Sequence, residues 1–494
     1  MRPGTATSVE GLIDAVVRGE LDEARALRLC TECPELVTLA LLAAGKRIAE
    51  QGRLIADQGE VIAGLQAHHE GPAALPSTPS GMRPIYSKPN TRKRRKKPGA
   101  KPGHPGRRRE RPSRIDRQET HRLKCCPCCG GELQRCERKR TRTIEDIPEV
   151  IEPIATEHTI WRDYCRKCKK HVEPVVPDAM PGATLGHHVV TLTAWLHYGL
   201  GITIDQIISI VGYHMQTRLT PGGLLDAWRR LAEVLTAWYE QIAEEAKASA
   251  LLHADETGWR VNGVTHWLWC FANGRVCYYM IDRCRGSPAL QKFFTAAFEG
   301  VLITDFWSAY LSVCAADRQY CLVHLLRELE KVDLRNDSAE WQAFVKKLRR
   351  LLHDGVRLRK RADFAPAKFQ REVDRLNARL AAVADGDYPD ADARRLAKRL
   401  AKYGEYIFTF LDYADVPFEN NFAERQIRPA VIMRKNSLSN RSERGAATQA
   451  ILMSVYRTLK LRGLNPTKTI ADALKTYVAT GQLPPLPDGD IANR

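Results

Sequence analysis

Apolar positions recur at helical spacing over Leu192–Leu200, Thr203–Val211 and Thr220–Trp238, which predicts three helices. Their punctuation supports this. Thr203 suits an N-cap, Gly212 a C-terminal stop, and Thr220 before Pro221 a cap with proline at the first helical position. Leu224, Leu225, Trp228, Leu231 and Leu235 mark the buried face of the third helix, leaving Arg229 and Arg230 outside it. Two readings fit: a helix-turn-helix whose last helix enters the major groove with Arg229 and Arg230 as DNA readers, or a three-helix connector.

From Leu251 the pattern changes to strands, in LLHADETGW, THWLWCFANG and VCYYMIDR, separated by glycine-containing breaks. A helix from Ser287 to Phe298, a strand VLITDF and a strand-to-helix passage QYCLVHLLREL come next. This succession is the one expected of an RNase H-like α/β core. Residues 338–412 then read as helical throughout, with Trp341, Val345, Leu348 and Leu352 on one face and Phe369, Val373, Leu376 and Leu380 on the next. That block reads as an insertion. Helices over about Glu443–Leu461 and Thr467–Val478 close the pattern, with Gly463 and Pro466 between them.

Towards the N-terminus, GKRIAEQ, GRLIADQ and GEVIAGL form a seven-residue repeat that places Leu41, Ile48, Ile55 and Ile62 at heptad spacing. The repeat fits a coiled coil that joins copies of the chain, or an amphipathic helix packing on its own domain; Gly45, Gly52 and Gly59 weaken it as a helix. A linker, GPAALPSTPSG, leads into KPNTRKRRKKPGAKPGHPGRRRERPSR, where prolines and glycines forbid regular structure. This is a flexible basic arm, in which Arg94, Arg95, Lys96, Lys97, Lys101, Arg107, Arg108 and Arg109 are expected on DNA phosphates.

Composition sharpens these expectations. A length of 494 residues exceeds one hydrophobic core and suggests about three domains. The formal net charge of +18 favours a polyanionic partner, nucleic acid before membrane. The longest apolar run, Leu36–Ala44, stops at Gly45, Lys46 and Arg47, far short of the roughly 20 residues a membrane span needs. No charged segment followed by an apolar run and a cleavage site opens the chain, so its 14 cysteines read as metal ligands and core thiols in the cytosol rather than as disulfides.

Cys126-Pro-Cys-Cys129-Gly and Cys165-Arg-Lys-Cys168 are two C-x-x-C knuckles joined by a strand-like stretch. Four thiolates from two such knuckles suit structural zinc in a ribbon, and the segment is too poor in apolar residues to have a core of its own. Cys125, Cys128 and Cys136 compete as ligands, so the register stays open. Cys30 and Cys33 lack a partner pair, and Cys270, Cys277, Cys284 and Cys314 read as buried thiols.

Cutting DNA by the two-metal route needs carboxylates from separate elements that converge on magnesium or manganese. In HADETGW, alternation puts His253, Asp255 and Thr257 on one face of a strand and Glu256 on the other. Asp305 ends a fully apolar strand in the same way. The third acid lies beyond the insertion, in ENNFAERQIRPAVIMRKN. Glu424 stands there among Arg425, Arg428, Arg434 and Lys435, which can steady phosphates. Asn420 or Asn421 suits an N-cap, which would put Glu424 on a first helical turn and leave Glu419, the competing acid, in the preceding loop.

HADETGW, TDFWSAY, CLVH and NNFAERQIRP with RKN, in this order, resemble the insertion sequence 66 family of bacterial transposases. The isoleucine heptads, KPGAKPGHPG, CPCCG, CRKC and LKLRGLNP are similar to that family's pattern too, so the resemblance covers nearly the whole chain. It implies that Asp255, Asp305 and Glu424 are a DDE triad holding two magnesium or manganese ions, and that the helical block before Glu424 is an insertion domain. Cys321-x-x-His324 resembles a motif that follows the second aspartate in many DDE transposases; with Asn421, Arg425 and Arg428 it is expected to support the site. The implied activity is hydrolysis at transposon ends to free a 3′ hydroxyl, then its transfer to target DNA. A homo-oligomer, such as a dimer, would synapse two ends beside small accessory proteins of the same element, in the bacterial cytoplasm at the nucleoid. The rival readings are a catalytically inactive DNA-binding relict and a host RNase H-like nuclease or resolvase.

The expected organisation is therefore multidomain α/β: a helical, coiled-coil-like region over 1–70, a basic linker over 71–118, a zinc ribbon over 119–180 and a helical DNA-binding-like domain over 181–248. An RNase H-like core would follow in two parts, 249–335 and 416–494, interrupted by a helical insertion over 336–415.

Overall fold

The computed structural model describes residues 23–32 with scattered helical positions up to 50, then 112–134, 141–148, 151–361 and 364–489. The chain divides into two compact units, Met1–Lys88 and Pro89–Arg494. In the first, α1 spans Glu23–Glu32, and Leu41 is exposed. Ile48, Ile55 and Ile62 of the heptad repeat, and the arm from Arg94 to Arg109, lie outside the described residues.

The second unit begins with a hairpin of β1 (Asp163–Cys165) and β2 (Lys170–Val172), whose turn places Lys169 at φ 50°. The stretch before it reads as strand-like in the sequence, but its described residues, 141–148 and 151–162, join no strand ladder. A strand persists only where a neighbour takes its backbone groups, and Ile144, Ile147, Ile154 and Trp161 are exposed instead of packed.

Three helices follow: α2 (His187–Ala194), α3 (Ile204–Met215) and α4 (Pro221–Lys247). After α2 the chain widens into a π-helical turn, Trp195–Gly199. Thr203 and Gln206 form a reciprocal capping box on α3, and the Thr220 hydroxyl accepts from Gly223 N at the start of α4. Gly212 does not end α3. The helix runs on to Gln216, which stops it in the left-handed region at φ 48°. Leu224, Trp228, Leu231, Leu235, Trp238, Ile242 and Ala246 keep the 3- and 4-residue spacing of one buried stripe along all 27 residues of α4. Leu225, one residue off that stripe, is exposed, contrary to the sequence reading.

Five strands form the central sheet: β3 (Leu251–Val261), β4 (Val264–Ala272), β5 (Cys277–Asp282), β6 (Phe298–Thr304) and β7 (Ala315–Tyr320). Their order is β5-β4-β3-β6-β7, with β4 antiparallel to both β5 and β3, and β6 parallel to both β3 and β7. β6 is buried at every position except Glu299, and its run Val301–Ile303 is apolar because both faces are covered. Gly300 is required there, since a Cβ would sit 2.4 Å from the Ser249 carbonyl oxygen. The helix α5 is shorter than its apolar pattern suggested: it spans Ser287–Phe293, because Phe294 leaves the helical region at ψ 83°, and Phe298 already belongs to β6.

Beyond β7 come α6 (Leu322–Asp333), α7 (Ala339–Leu358), α8 (Pro366–Ala384) and α9 (Ala391–Tyr403). The block read as continuously helical is broken before Pro366 and again at Asp385–Asp390, where the Asp390 side chain caps α9 through Ala393 N. Then α10 (Asn421–Ser437), α11 (Glu443–Leu461) and α12 (Pro466–Thr480) complete the unit. Pro429 lies inside α10 and cannot donate to the Arg425 carbonyl; Arg457 of α11 reaches that oxygen at 3.5 Å instead.

The sheet separates two apolar cores. Leu252, Ala254 and Leu302 face a core shared with α2–α4, α10 and α11. Val301, Ile303 and Tyr320 face the other, built with α6–α9. No helix among the described residues is long and apolar enough to cross a membrane.

Candidate functional site

β3 and β6 run side by side in parallel with His253 opposite Ile303, so alternation carries Asp255, within β3, and Asp305, just past the end of β6, to neighbouring places on one face. The chain bends directly after Thr304, and Asp305 is fixed by the Trp307 backbone N–H, which donates to Oδ1 at 2.9 Å. Asp255 Oδ1 accepts from Glu256 N at 3.0 Å. Burial first, and then the charges of Glu256, Asp305 and Glu424, push the Asp255 carboxyl well above its ordinary range. Burial also raises Asp305.

Glu424 stands on the first turn of α10, and Glu419 lies ahead of the helix, hydrogen-bonded to Asn421 Nδ2. The Glu424 partner is not Arg428 on its own helix. Arg327 Nη1 of α6 lies 2.9 Å from Oε1, with His324 Nε2 at 3.4 Å. His324 Nδ1 is buried without a hydrogen-bond partner, and desolvation lowers the pKa of its ring.

Asn420 occupies the N-cap position of α10, but its side chain caps nothing. It is fully buried: Oδ1 meets His253 Nδ1 at 2.9 Å, Nδ2 donates to Ala254 O at 2.8 Å, and the backbone N–H donates to Cys321 Sγ at 3.1 Å. Burial pushes the Cys321 thiol up to about 11, so it is a neutral acceptor at neutral pH. Burial likewise lowers His253 to about 4, keeping that ring uncharged.

Sequence reasoning set Glu256 aside on the opposite face, yet it is the most heavily tied acid in the region. Its side chain is only 2% exposed and receives Arg285 Nε at 3.0 Å and Nη2 at 2.9 Å on Oε1, and Tyr310 OH at 2.6 Å on Oε2. The Arg285 guanidinium also lies over the rings of Trp267, 4.5 Å away, and Trp307, 4.0 Å away. Burial raises Glu256 to about 7 despite that cation. A residue signal existed, since Arg285 follows a strand and precedes the Gly286–Ser287 helix start, but only the fold brings it to Glu256.

Arg425, Arg428 and Lys435 are exposed on α10, with Arg425 lying over the Phe422 ring at 5.8 Å. Arg434 turns inwards and donates to Thr257 Oγ1 at 3.2 Å and to Gly258 O. On α4, Arg229 pairs with Asp226 and with Glu233 at 3.7 Å, while Arg230 donates to Pro181 O.

Each zinc-type knuckle is formed as a local turn. Gly130 N donates to Cys126 O at 2.8 Å with Gly130 at φ 72°, and Cys168 N donates to Cys165 Sγ at 3.4 Å. Backbone N–H groups of Cys128 and Cys129 lower the Cys126 thiol, and those of Cys168 and Lys167 lower Cys165. Cys125 and Cys128 are exposed, and Cys136 lies outside the described residues. Among the described residues no three His, Cys, Asp or Glu side chains gather closely enough to hold one metal ion, either here or at Asp255, Asp305 and Glu424. Cys270 and Cys277 are buried and Cys284 half-buried, but Cys314 is exposed rather than a core thiol.

The mixed sheet thus carries Asp255 within β3 and Asp305 just past β6, and a third acid, Glu424, follows on a helix beyond the α7–α9 block. Residues 182–448 match the family described as Transposase IS66 family. The chain belongs to that family. It is also similar to three uncharacterized proteins of Sinorhizobium fredii (strain NBRC 101917 / NGR234). It is 24% identical to y4jD over 72% of this chain and 75% of the relative, and 24% identical to y4hP over 71% and 70%. With y4qI the identity is 26% over 49% of this chain and 50% of the relative.

Proposed function

We propose that this chain cuts DNA at transposon ends and joins the freed 3′ hydroxyl to target DNA, on an RNase H-like core in which Asp255, Asp305 and Glu424 hold two magnesium or manganese ions. The observation that carries the reading is the parallel register of β3 and β6, which brings Asp255 and Asp305 to neighbouring places on one face, with Glu424 near enough for its charge to bear on Asp255. Hard carboxylate oxygens are donors that suit such cations, and Asp255, Asp305 and Glu424 would have to draw closer together to share them. The strand order, antiparallel β3–β5 followed by parallel β6 and β7, supports the RNase H-like assignment.

The ions would supply Lewis acidity at both the attacking and the leaving oxygen of the scissile phosphate. Water attacks phosphorus and the 3′ oxygen leaves as a hydroxyl; that hydroxyl then attacks a target phosphodiester, displacing its 3′ oxygen, with no covalent protein intermediate. The chain's own share is positional. Arg327 holds Glu424 at the edge of the site, Asn420 fixes β3 against α10, and Arg425, Arg428 and Lys435 offer phosphate contacts on the exposed side of α10. The arm from Arg94 to Arg109 adds sequence-independent affinity, and copies of the chain pair to synapse two ends.

Cys126, Cys129, Cys165 and Cys168 would hold structural zinc, as the Cys126 and Cys165 thiols already receive backbone N–H groups that favour thiolate.

Cleavage and strand transfer by purified protein on duplexes bearing the element's terminal repeats test the reading. Asp255→Asn, Asp305→Asn and Glu424→Gln should each abolish magnesium-dependent cleavage while end binding persists, and Glu419→Gln should keep most activity. Cleavage by Glu424→Gln alongside a dead Glu419→Gln would remove Glu424 from the triad; cleavage by Asp255→Asn would remove the mechanism altogether.

A further inference from the structure

Leu438 is the first residue after α10 and is 84% exposed, in a left-handed conformation at φ 59° and ψ 20°. Ser439 follows at φ 74°, so two consecutive residues with side chains occupy a region that favours glycine. Such strain persists only where the surroundings impose it. Here they do: Asn440 N donates to Arg260 O at 3.1 Å, Asn262 N donates to Asn440 O at 3.0 Å, and Trp259 Nε1 donates to Asn440 Oδ1 at 2.7 Å. One turn earlier, Arg434 fastens α10 to Thr257 and Gly258 of the same strand. The tip of the β3–β4 hairpin and the end of α10 thus form a rigid mount that holds a bare leucine in solvent.

What lies beside that leucine is cationic. Arg425, Arg428, Ile432 and Lys435 are all exposed at the spacing of a single helix face, and Arg441 is exposed just beyond Leu438. No ion pair among the described residues engages Arg425, Arg428, Lys435 or Arg441. An apolar protein partner would leave these cations without counter-charges, whereas a duplex provides phosphates for them and stacked bases for the leucine. Laid along a duplex, the helix from Glu424 to Leu438 would advance about 21 Å, or roughly six base-pair steps.

We propose that Leu438 is an apolar wedge that enters the base stack of bound DNA about six base pairs from the carboxylates, with the exposed cations of α10 holding the intervening phosphates. The position relative to the carboxylates rests on the functional reading above; the wedge itself does not. Unstacking lowers the cost of bending or melting DNA, and a wedge on a rigid mount delivers it at a fixed distance.

The test uses the full chain at saturating concentration with an A·T-containing duplex of mixed sequence that carries 2-aminopurine at successive positions. Fluorescence and affinity are read on the same samples. Wild-type protein should brighten the probe; Leu438→Ala should cut that gain by about threefold or more while weakening binding less than about tenfold, and Leu438→Met should restore it. Equal brightening by wild type and Leu438→Ala, or no brightening by bound wild type, overturns the wedge. If Asp255→Asn still cleaves DNA while the fluorescence depends on Leu438, the carboxylate reading fails and the wedge stands.

Discussion

Asn420 donates its backbone N–H to the sulfur of Cys321 at 3.1 Å, across a sequence distance of nearly one hundred residues. The contact joins the start of α10 to the junction of β7 and α6, where Cys321 N donates to Thr304 O and Leu322 N to Phe418 O, both at 2.9 Å. Three segments that carry candidate acids or their neighbours therefore meet at one buried knot. The cysteine of the C-x-x-H motif works in it as a hydrogen-bond acceptor.

Removing the Asn420 side chain should loosen that knot. Asn420→Ala strands the His253 ring and the Ala254 carbonyl without partners, a loss of about 2–3 kcal/mol. Denaturant unfolding of the two proteins measures it, and a change below about 0.5 kcal/mol would mean that water replaces the amide.

Arg285 should be irreplaceable by lysine. Its flat guanidinium forms two bonds to one Glu256 oxygen while lying over two tryptophan rings, a geometry an ammonium does not reproduce. Arg285→Met leaves a buried carboxylate without its cation and should cost about 3 kcal/mol, most of it regained in the Glu256→Gln double variant. Strictly additive losses in a double-mutant cycle would argue against the coupling.

Acid stability should report on His197. Burial lowers its pKa below the ordinary value, with Nδ1 donating to Ile202 O at 2.7 Å and the ring stacked on Trp228. A depressed folded pKa gives stability that is present above the unfolded value near 6.5 and lost as pH falls through the folded one. His197→Gln should be less stable at pH 7.5, yet its stability should fall less steeply below pH 6.5, by up to about 1.4 kcal/mol per pH unit for one proton. Parallel stability curves for the two proteins would show that the ring does not charge on unfolding.

Zinc content offers an independent check on the knuckles. Purified protein should carry one zinc per chain, lost in both Cys126→Ser and Cys165→Ser. Retention in either variant would move the ligand set to another register, and full retention in both would remove the site.

Sequence patterns revealed those features that depend on neighbours along the chain. Thr203 and Thr220 mark helix starts through contacts to backbone N–H groups three residues on, and Asp255 and Asp305 can be placed on or just past strands because apolar residues lead up to them. Features set by distant partners were illegible. Asn420 resembles a helix cap until β3 claims its amide, and Glu256 resembles a surface residue until Arg285 arrives from beyond β5. Gly212 is a helix stop only by prior expectation, since nothing local prevents the next turn of α3. The knuckles show the converse: each is built from its own four or five residues, while their assembly is not a local property.

The helical block over α7–α9 places Glu424 119 residues after Asp305. At about 5–20 residues per second, a ribosome needs roughly 6–24 s to travel between them. For that interval each nascent chain already carries both aspartates and still lacks the third acid, together with the helix that seats it against β3. A messenger broken or a ribosome stalled anywhere in the block therefore releases a fragment unable to complete the proposed centre. Under the proposed mechanism, such a fragment would leave DNA uncut.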